Sequence, residues 1–305
     1  MAHMTRVTEV TIGAEAIVPL PFTNECAESP FWSPADEAFF WVDIPAGRIH
    51  RWSSATATTM SWKLPEQVGC IARQADGNML AACESGIYTA SLQQAEPHVV
   101  LRAGIAHPAP HMRFNDGRCD RRGRLWVTTF MDWHDKQPVG GLFRYTPDGL
   151  SARLLDGFLT PNGMAFSPDN RTLYIADSHA SVRKVWAIDF DLDEGVLGER
   201  RVFIDMAAYA GRPDGAAVDT EGCYWVAGMD DGCIMRFTPQ GVLDRMIRLP
   251  VRCPTMCAFG GKDMKSMFIT SLRRSGAAGE HDHLGGSVLQ IDPEAQGIAE
   301  VAFAA

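Results

Sequence analysis

Short apolar and aromatic runs recur along the chain, divided by polar turns rich in Pro, Gly, Asp and Asn. The clearest instance is residues 159–177. Gly163-Met-Ala-Phe166 and Leu173-Tyr-Ile-Ala176 flank Ser167-Pro-Asp-Asn170. Proline presets φ, and Asp and Asn bond their own backbone and tolerate left-handed conformations, so the centre predicts a turn. The flanks predict two buried strands. The pattern returns at Glu28-Ser-Pro-Phe-Trp-Ser33, Asn115-Asp-Gly-Arg-Cys-Asp120 and Asp214-Gly-Ala-Ala-Val-Asp219, and more weakly from Val68 and from Thr255.

Aligned on their turns, the six copies open at Glu28, Val68, Asn115, Asn162, Asp214 and Thr255, at steps of 40 to 52 residues. Self-similarity at this period marks a repeat architecture. Several short strands per unit suit the blade of a β-propeller. The expected fold is therefore all-β, a six-bladed β-propeller. The innermost strand of each blade lines the axis, so equivalent positions form a ring at one height. Five of these six are polar. Glu28, Asn115, Asn162 and Asp214 are hard oxygen donors of the kind that bind Ca2+, Mg2+ or Mn2+, which predicts an axial metal site. Ahead of the first repeat, Glu9-Val-Thr-Ile12 and Ala16-Ile-Val-Pro-Leu20 read as strands. They are expected to close the ring by pairing with Ser287-Val-Leu-Gln-Ile291 and Ala299-Glu-Val-Ala-Phe303, which would remove exposed edges.

The remaining composition narrows the function. Residues 1–4, Met1-Ala-His-Met4, read as a vector-derived scar with the start methionine, leaving residues 5–305 as one propeller domain. A net charge of −9 argues against nucleic acid as partner. No apolar run approaches the ~20 residues of a membrane span. The eight cysteines include no CxxC pair and read as small buried hydrophobes. No signal peptide precedes the repeats, and a reduced, cytoplasmic protein is expected, as a monomer or weak homo-oligomer. His281-Asp-His283 falls in a Gly-rich loop and reads as solvated loop. His107 and His111 are kept off a shared helix face by Pro108 and Pro110.

Glu28-Ser-Pro30, Arg113-Phe-Asn-Asp-Gly117, Pro161-Asn-Gly163 with Ser167-Pro-Asp169, Pro213-Asp-Gly215 and Leu284-Gly-Gly286 together resemble the SMP-30/gluconolactonase/regucalcin-like (LRE) family. The resemblance runs from about Glu25 to Ile291. It implies a six-bladed propeller with one axial divalent ion (Ca2+, Zn2+, Mn2+, Mg2+ or Fe2+) and hydrolysis of a sugar lactone. Carried over by motif, it makes Glu28, Asn162 and Asp214 the metal ligands and Asp214 the general base. Arg113 and Asn115 become readers of substrate hydroxyls. One position departs from the family. Some sugar-acting members carry a substrate-contacting glutamate where this chain has Trp133, beside Asp132, so these two residues are expected to line the pocket differently.

The chemistry agrees with this assignment. A cation on the lactone carbonyl stabilises the oxyanion, and a nearby carboxylate takes the proton of the attacking water. The polar groups at the site suit neutral, hydroxylated ligands, and Trp133 suits the apolar face of a sugar ring. Two rivals keep the fold: an esterase or organophosphate hydrolase on the same metal, and a non-catalytic metal-binding regulatory propeller.

Overall fold

The computed structural model describes residues 7–274 and 282–304. The segment read as a vector scar and His281 lie outside the described residues. Among those described, the strands form six sheets in chain order, antiparallel but for one added N-terminal strand. Their first strands are Ala27–Ser33, Val68–Arg73, Met112–Cys119, Pro161–Phe166, Arg212–Val218 and Pro254–Gly260. Each first strand packs on the first strand of the next sheet, and the last packs on the first. The sheets are thus six blades around one axis.

Burial follows from this arrangement. A blade is sandwiched between two neighbours, so its inner strands lose the alternation of a half-exposed sheet. Ala38–Asp43, second in blade 1, is buried throughout, whereas the outer strand Thr58–Lys63 is mostly exposed. Six apolar clusters fill the six seams. Tyr174, Val185, Tyr224 and Met235 occupy the seam between blades 4 and 5, for example. Trp32, Trp41 and Phe268 occupy the one between blades 6 and 1. Of the eight cysteines, seven are buried and Cys26 is half-buried, and none is paired.

The repeated turns are held by aspartates. Asp219 accepts hydrogen bonds from the Glu221 and Cys223 amides, from Trp225 Nε1 and from Arg236 Nε. Asp120 does the same for Arg122, Arg124 and Trp126. Asp177 takes the amides of Leu159, Thr160 and His179, tying the end of one strand to the loop entering the blade.

Ring closure differs from the sequence expectation. Thr8–Thr11 pairs in parallel with Leu243–Arg248, the outer strand of blade 5, and not with the C-terminal strands. Only the second segment reaches one of them: Ile17 bridges Leu289 and the Val18 amide donates to Val288 O at 2.8 Å. Packing explains the path. Ile12, Ala16 and Ile17 cover the seam between blades 5 and 6, so the N-terminal segment runs from one outer edge to the next. Residues 299–303 run elsewhere, across the lower end of the axis. The Phe303 amide donates to Arg73 O, that of Ala304 donates to Gly123 O, and Glu300 pairs with Arg118 at 3.1 Å. A cavity of about 280 Å³ lies on the axis above this tail. The tail thus lies against the end of the channel opposite to the one where the first strands begin.

Candidate functional site

In every blade the pairing of first and second strand breaks at the ring position. The breaks fall between Glu28 and Phe31, Val68 and Cys70, Phe114 and Gly117, Asn162 and Ala165, Pro213 and Ala216, and Pro254 and Met256. A bulge re-aims side chains that strict alternation would send to opposite faces. Two breaks use left-handed backbone, at Ser29 (φ 48°) and Gly163 (φ 62°). A Cβ on Gly163 would lie 2.5 Å from the Tyr224 hydroxyl and 2.9 Å from Asp214 O, so only glycine lets blades 4 and 5 approach this closely.

These bulges bring Glu28, Asn162 and Asp214 to one end of the axis with Asn115 and Asp116. Asp214 is 3% exposed, and its carboxylate receives no hydrogen bond among the described residues. Glu28 receives one, from the next amide, Ser29, at 2.8 Å. Burial, then the charge of Glu28, pushes the Asp214 carboxyl well above the usual range, with Arg212 opposing. Burial and then Asp116 push Glu28 up in the same way, against Ser29 and Arg113. Asp116 is raised too, chiefly by burial.

Three buried carboxyls with so few donors, one amide on Glu28, none on Asp214 and the Met164 amide on Asp116, are unlike the clamping aspartates of the turns. Asp219, Glu221 and Cys223 also lie within 4.8 Å of one another. There, however, N–H groups already take the Asp219 oxygens and Arg236 neutralises the charge. On the axis, the donor set fits a hard divalent cation: two underused carboxylates and an amide oxygen.

The amides form a relay. Arg113 Nη1 donates to Asn115 Oδ1 at 2.9 Å. Asn115 Nδ2 donates to Asn162 Oδ1 at 2.7 Å and to Pro161 O at 2.9 Å. Asn162 Nδ2 donates to Ser178 Oγ at 2.8 Å, and Ser178 Oγ donates to Pro213 O, next to Asp214. The relay fixes the Asn162 amide across three blades. It also uses both amide hydrogens of Asn115, leaving only an oxygen lone pair for a substrate hydroxyl. Arg113 spends Nε on Asp132 at 2.8 Å and Nη1 on Phe114 O and Asn115, which leaves Nη2 for a ligand.

The expected pocket wall is mixed. Asp132 sits at the mouth, held by Arg113. Trp133 is 46% exposed and stacks on His111 at 4.1 Å, so one face of its indole is taken by the protein. Val68 is fully buried, and Thr255 Oγ1 donates to Ala27 O and lies 2.9 Å from Thr270 Oγ1, so both ring positions pack the channel. Sequence reasoning missed two residues. Asp116 lies inside the quoted Arg113–Gly117 motif; its Oδ2 accepts the Met164 amide at 2.7 Å. Ser178 follows the clamp Asp177, and only tertiary structure places it on the relay.

The SMP-30/Gluconolactonase/LRE-like region is matched over residues 26–273. The chain is 36% identical over 284 residues to the 6-deoxy-6-sulfogluconolactonase of Pseudomonas putida, covering 91% of this chain and 94% of that one. It is 36% identical over 251 residues to regucalcin of Danio rerio, covering 81% and 83%. Among solved structures, a calcium-binding regucalcin from Agrobacterium tumefaciens superimposes with a TM-score of 0.90 at 24% identity, over 98% of this chain and 100% of that one, and bears on the fold.

Proposed function

The chain belongs to the SMP-30/gluconolactonase/LRE-like family, and on that premise we propose that it hydrolyses a sugar lactone to the aldonic acid at the axial site. The observation that carries this reading is the contrast between carboxylates. Asp214 and Glu28 are held at one end of the axis with almost no donors, while comparable turn aspartates are saturated. The name of the Pseudomonas putida relative supplies the reaction class.

Glu28, Asn162 and Asp214 would hold one divalent cation. Such an ion would supply a Lewis acid for the lactone carbonyl and stabilise the charge that develops on its oxygen. The rest falls to the chain. Arg113 Nη2 donates to a ring hydroxyl, and Asn115 accepts one through Oδ1. Asp214 takes a proton from water as the water oxygen bonds to the carbonyl carbon. The bond from that carbon to the ring oxygen then breaks, and the ring oxygen takes the proton back from Asp214. The Asn115–Asn162–Ser178 relay keeps the ligand amide from swinging out of place.

A side-by-side kinetic panel with divalent cation present tests the reading. The best five- or six-carbon aldonolactone should exceed phosphotriesters and simple aryl esters in kcat/KM by at least about a hundredfold. That is the scale of two polar contacts a lipophilic substrate leaves unpaired. A phosphotriester or aryl ester ahead of every lactone would replace the lactonase reading with that of a general propeller hydrolase.

A further inference from the structure

Beside Arg113, the mouth of the site holds two cations that the hydrolysis described above does not use, Lys136 and Arg212. Lys136 lies in the loop between Met131 and Gly140, at the end of blade 3 where Arg113 pairs with Phe130. Its Nζ sits 4.3 Å from the Phe130 ring centroid, and the Arg113 guanidinium carbon lies 4.7 Å from the same centroid. Asp132 does not settle both charges. It accepts Arg113 Nε at 2.8 Å, but stands 3.9 Å from Lys136 Nζ, beyond a hydrogen bond. The Lys136 ammonium donates to Met131 O at 3.2 Å, which leaves donors to spare.

Across the mouth, Arg212 gives Nε to Asp230 at 2.6 Å. That one carboxylate also pairs with Arg274. Arg113 and Lys136 thus share Asp132 on one side, and Arg212 and Arg274 share Asp230 on the other. Lys136 bears the cost: burial, then the like charges of Arg113 and Arg212, lowers its pKa, with Asp132 and Asp177 opposing. An anion between these groups relieves that repulsion and takes charge-assisted hydrogen bonds. Arg113 stands two residues from Asn115, and Arg212 two from Asp214. The anion is thus within the span of one small sugar from the reacting ester, which makes it part of the substrate.

We propose that the lactone taken by this site carries a negatively charged substituent on its carbon chain, a sulfonate, phosphate or carboxylate, held by Lys136 with Arg113 and Arg212. This rests on the lactonase reading and adds a charge requirement to it. Hydroxyl contacts through Arg113 Nη2 and Asn115 remain, and Lys136 is the specificity residue.

The test compares glucono-1,5-lactone with its 6-sulfo, 6-phospho and 6-carboxylate counterparts, using the full chain with divalent cation. The best anionic lactone should exceed the neutral one by at least about tenfold in kcat/KM, chiefly through KM, and the advantage should shrink with added salt. Lys136→Met should reduce that ratio about tenfold, and Lys136→Arg should keep most of it. The three anionic arms show which group is preferred. A neutral lactone as good as every anionic one in the unmodified protein overturns the proposal, as does a ratio that Lys136→Met leaves unchanged. If no lactone opens faster than it does spontaneously, the lactonase reading and this inference fall together.

Discussion

Asn115 donates from Nδ2 to Asn162 Oδ1 at 2.7 Å, and this bond ties blade 3 to blade 4 at the axial site. Asn162 is the one neutral residue of the proposed metal set, so its orientation depends on its partners. Replacing Asn115 by Leu keeps the bulk and removes the donors. Metal affinity measured by calorimetry should fall about 10- to 100-fold, the usual cost of losing such a partner. Arg113 loses an acceptor in the same change, so KM for lactone should rise as well. Unchanged affinity would mean that Asn162 is oriented by Ser178 alone.

Removing the metal should expose the repulsion on the axis. Burial raises both carboxyls, helped by the charge of Glu28 at Asp214 and by that of Asp116 at Glu28. A carboxyl whose folded pKa is raised stabilises the fold below its unfolded pKa of about 4–4.5. That contribution is lost as pH rises through the folded value. The chelated protein should therefore lose ground as pH rises, and a divalent cation should compensate increasingly. The gain in Tm on adding Ca2+ to chelated protein should grow from about pH 5 to about pH 8. A gain that is flat or shrinks across that range would speak against a cation on these carboxylates.

The turn cluster of Asp219, Glu221 and Cys223 offers a control. Asp219→Ala leaves Trp225 Nε1 and the Arg236 guanidinium without their buried acceptor. Stability in urea melts should fall by about 3–5 kcal/mol, as when one partner of a buried pair is removed. Metal content and lactone turnover of the folded fraction should remain. Loss of the metal from a folded Asp219→Ala protein would move the ion from the axis to this turn.

The blades and the ring were legible in the sequence because their determinants are local and repeated. Pro, Asp and Gly set each turn within a few residues, and Asp219 and Asp120 clamp their turns through amides two to four positions away. Asp116 was hidden for the opposite reason. Alternation sends neighbours to opposite faces, and only the break between Phe114 and Gly117 lets Asn115 and Asp116 both reach the site. Ser178 and Lys136 arrive from the loops that follow second strands, whose direction no periodicity encodes. The N-terminal strand was recognisable as a strand. Its partner was not, since the choice between the edges of blades 5 and 6 is made by the seam that Ile12 and Ile17 cover.

The account stands most directly on Asp214, which is to hold the ion and to take the proton. Asp214→Asn keeps an oxygen ligand of the same shape and loses the basicity. Metal content and lactone kcat should be measured on one preparation of this variant. The expected result is bound divalent metal, at reduced affinity that excess cation restores, with kcat lower by about 10²–10⁴-fold at saturating metal. Near-normal kcat in the metal-loaded Asp214→Asn protein would contradict the account and place the base on another residue.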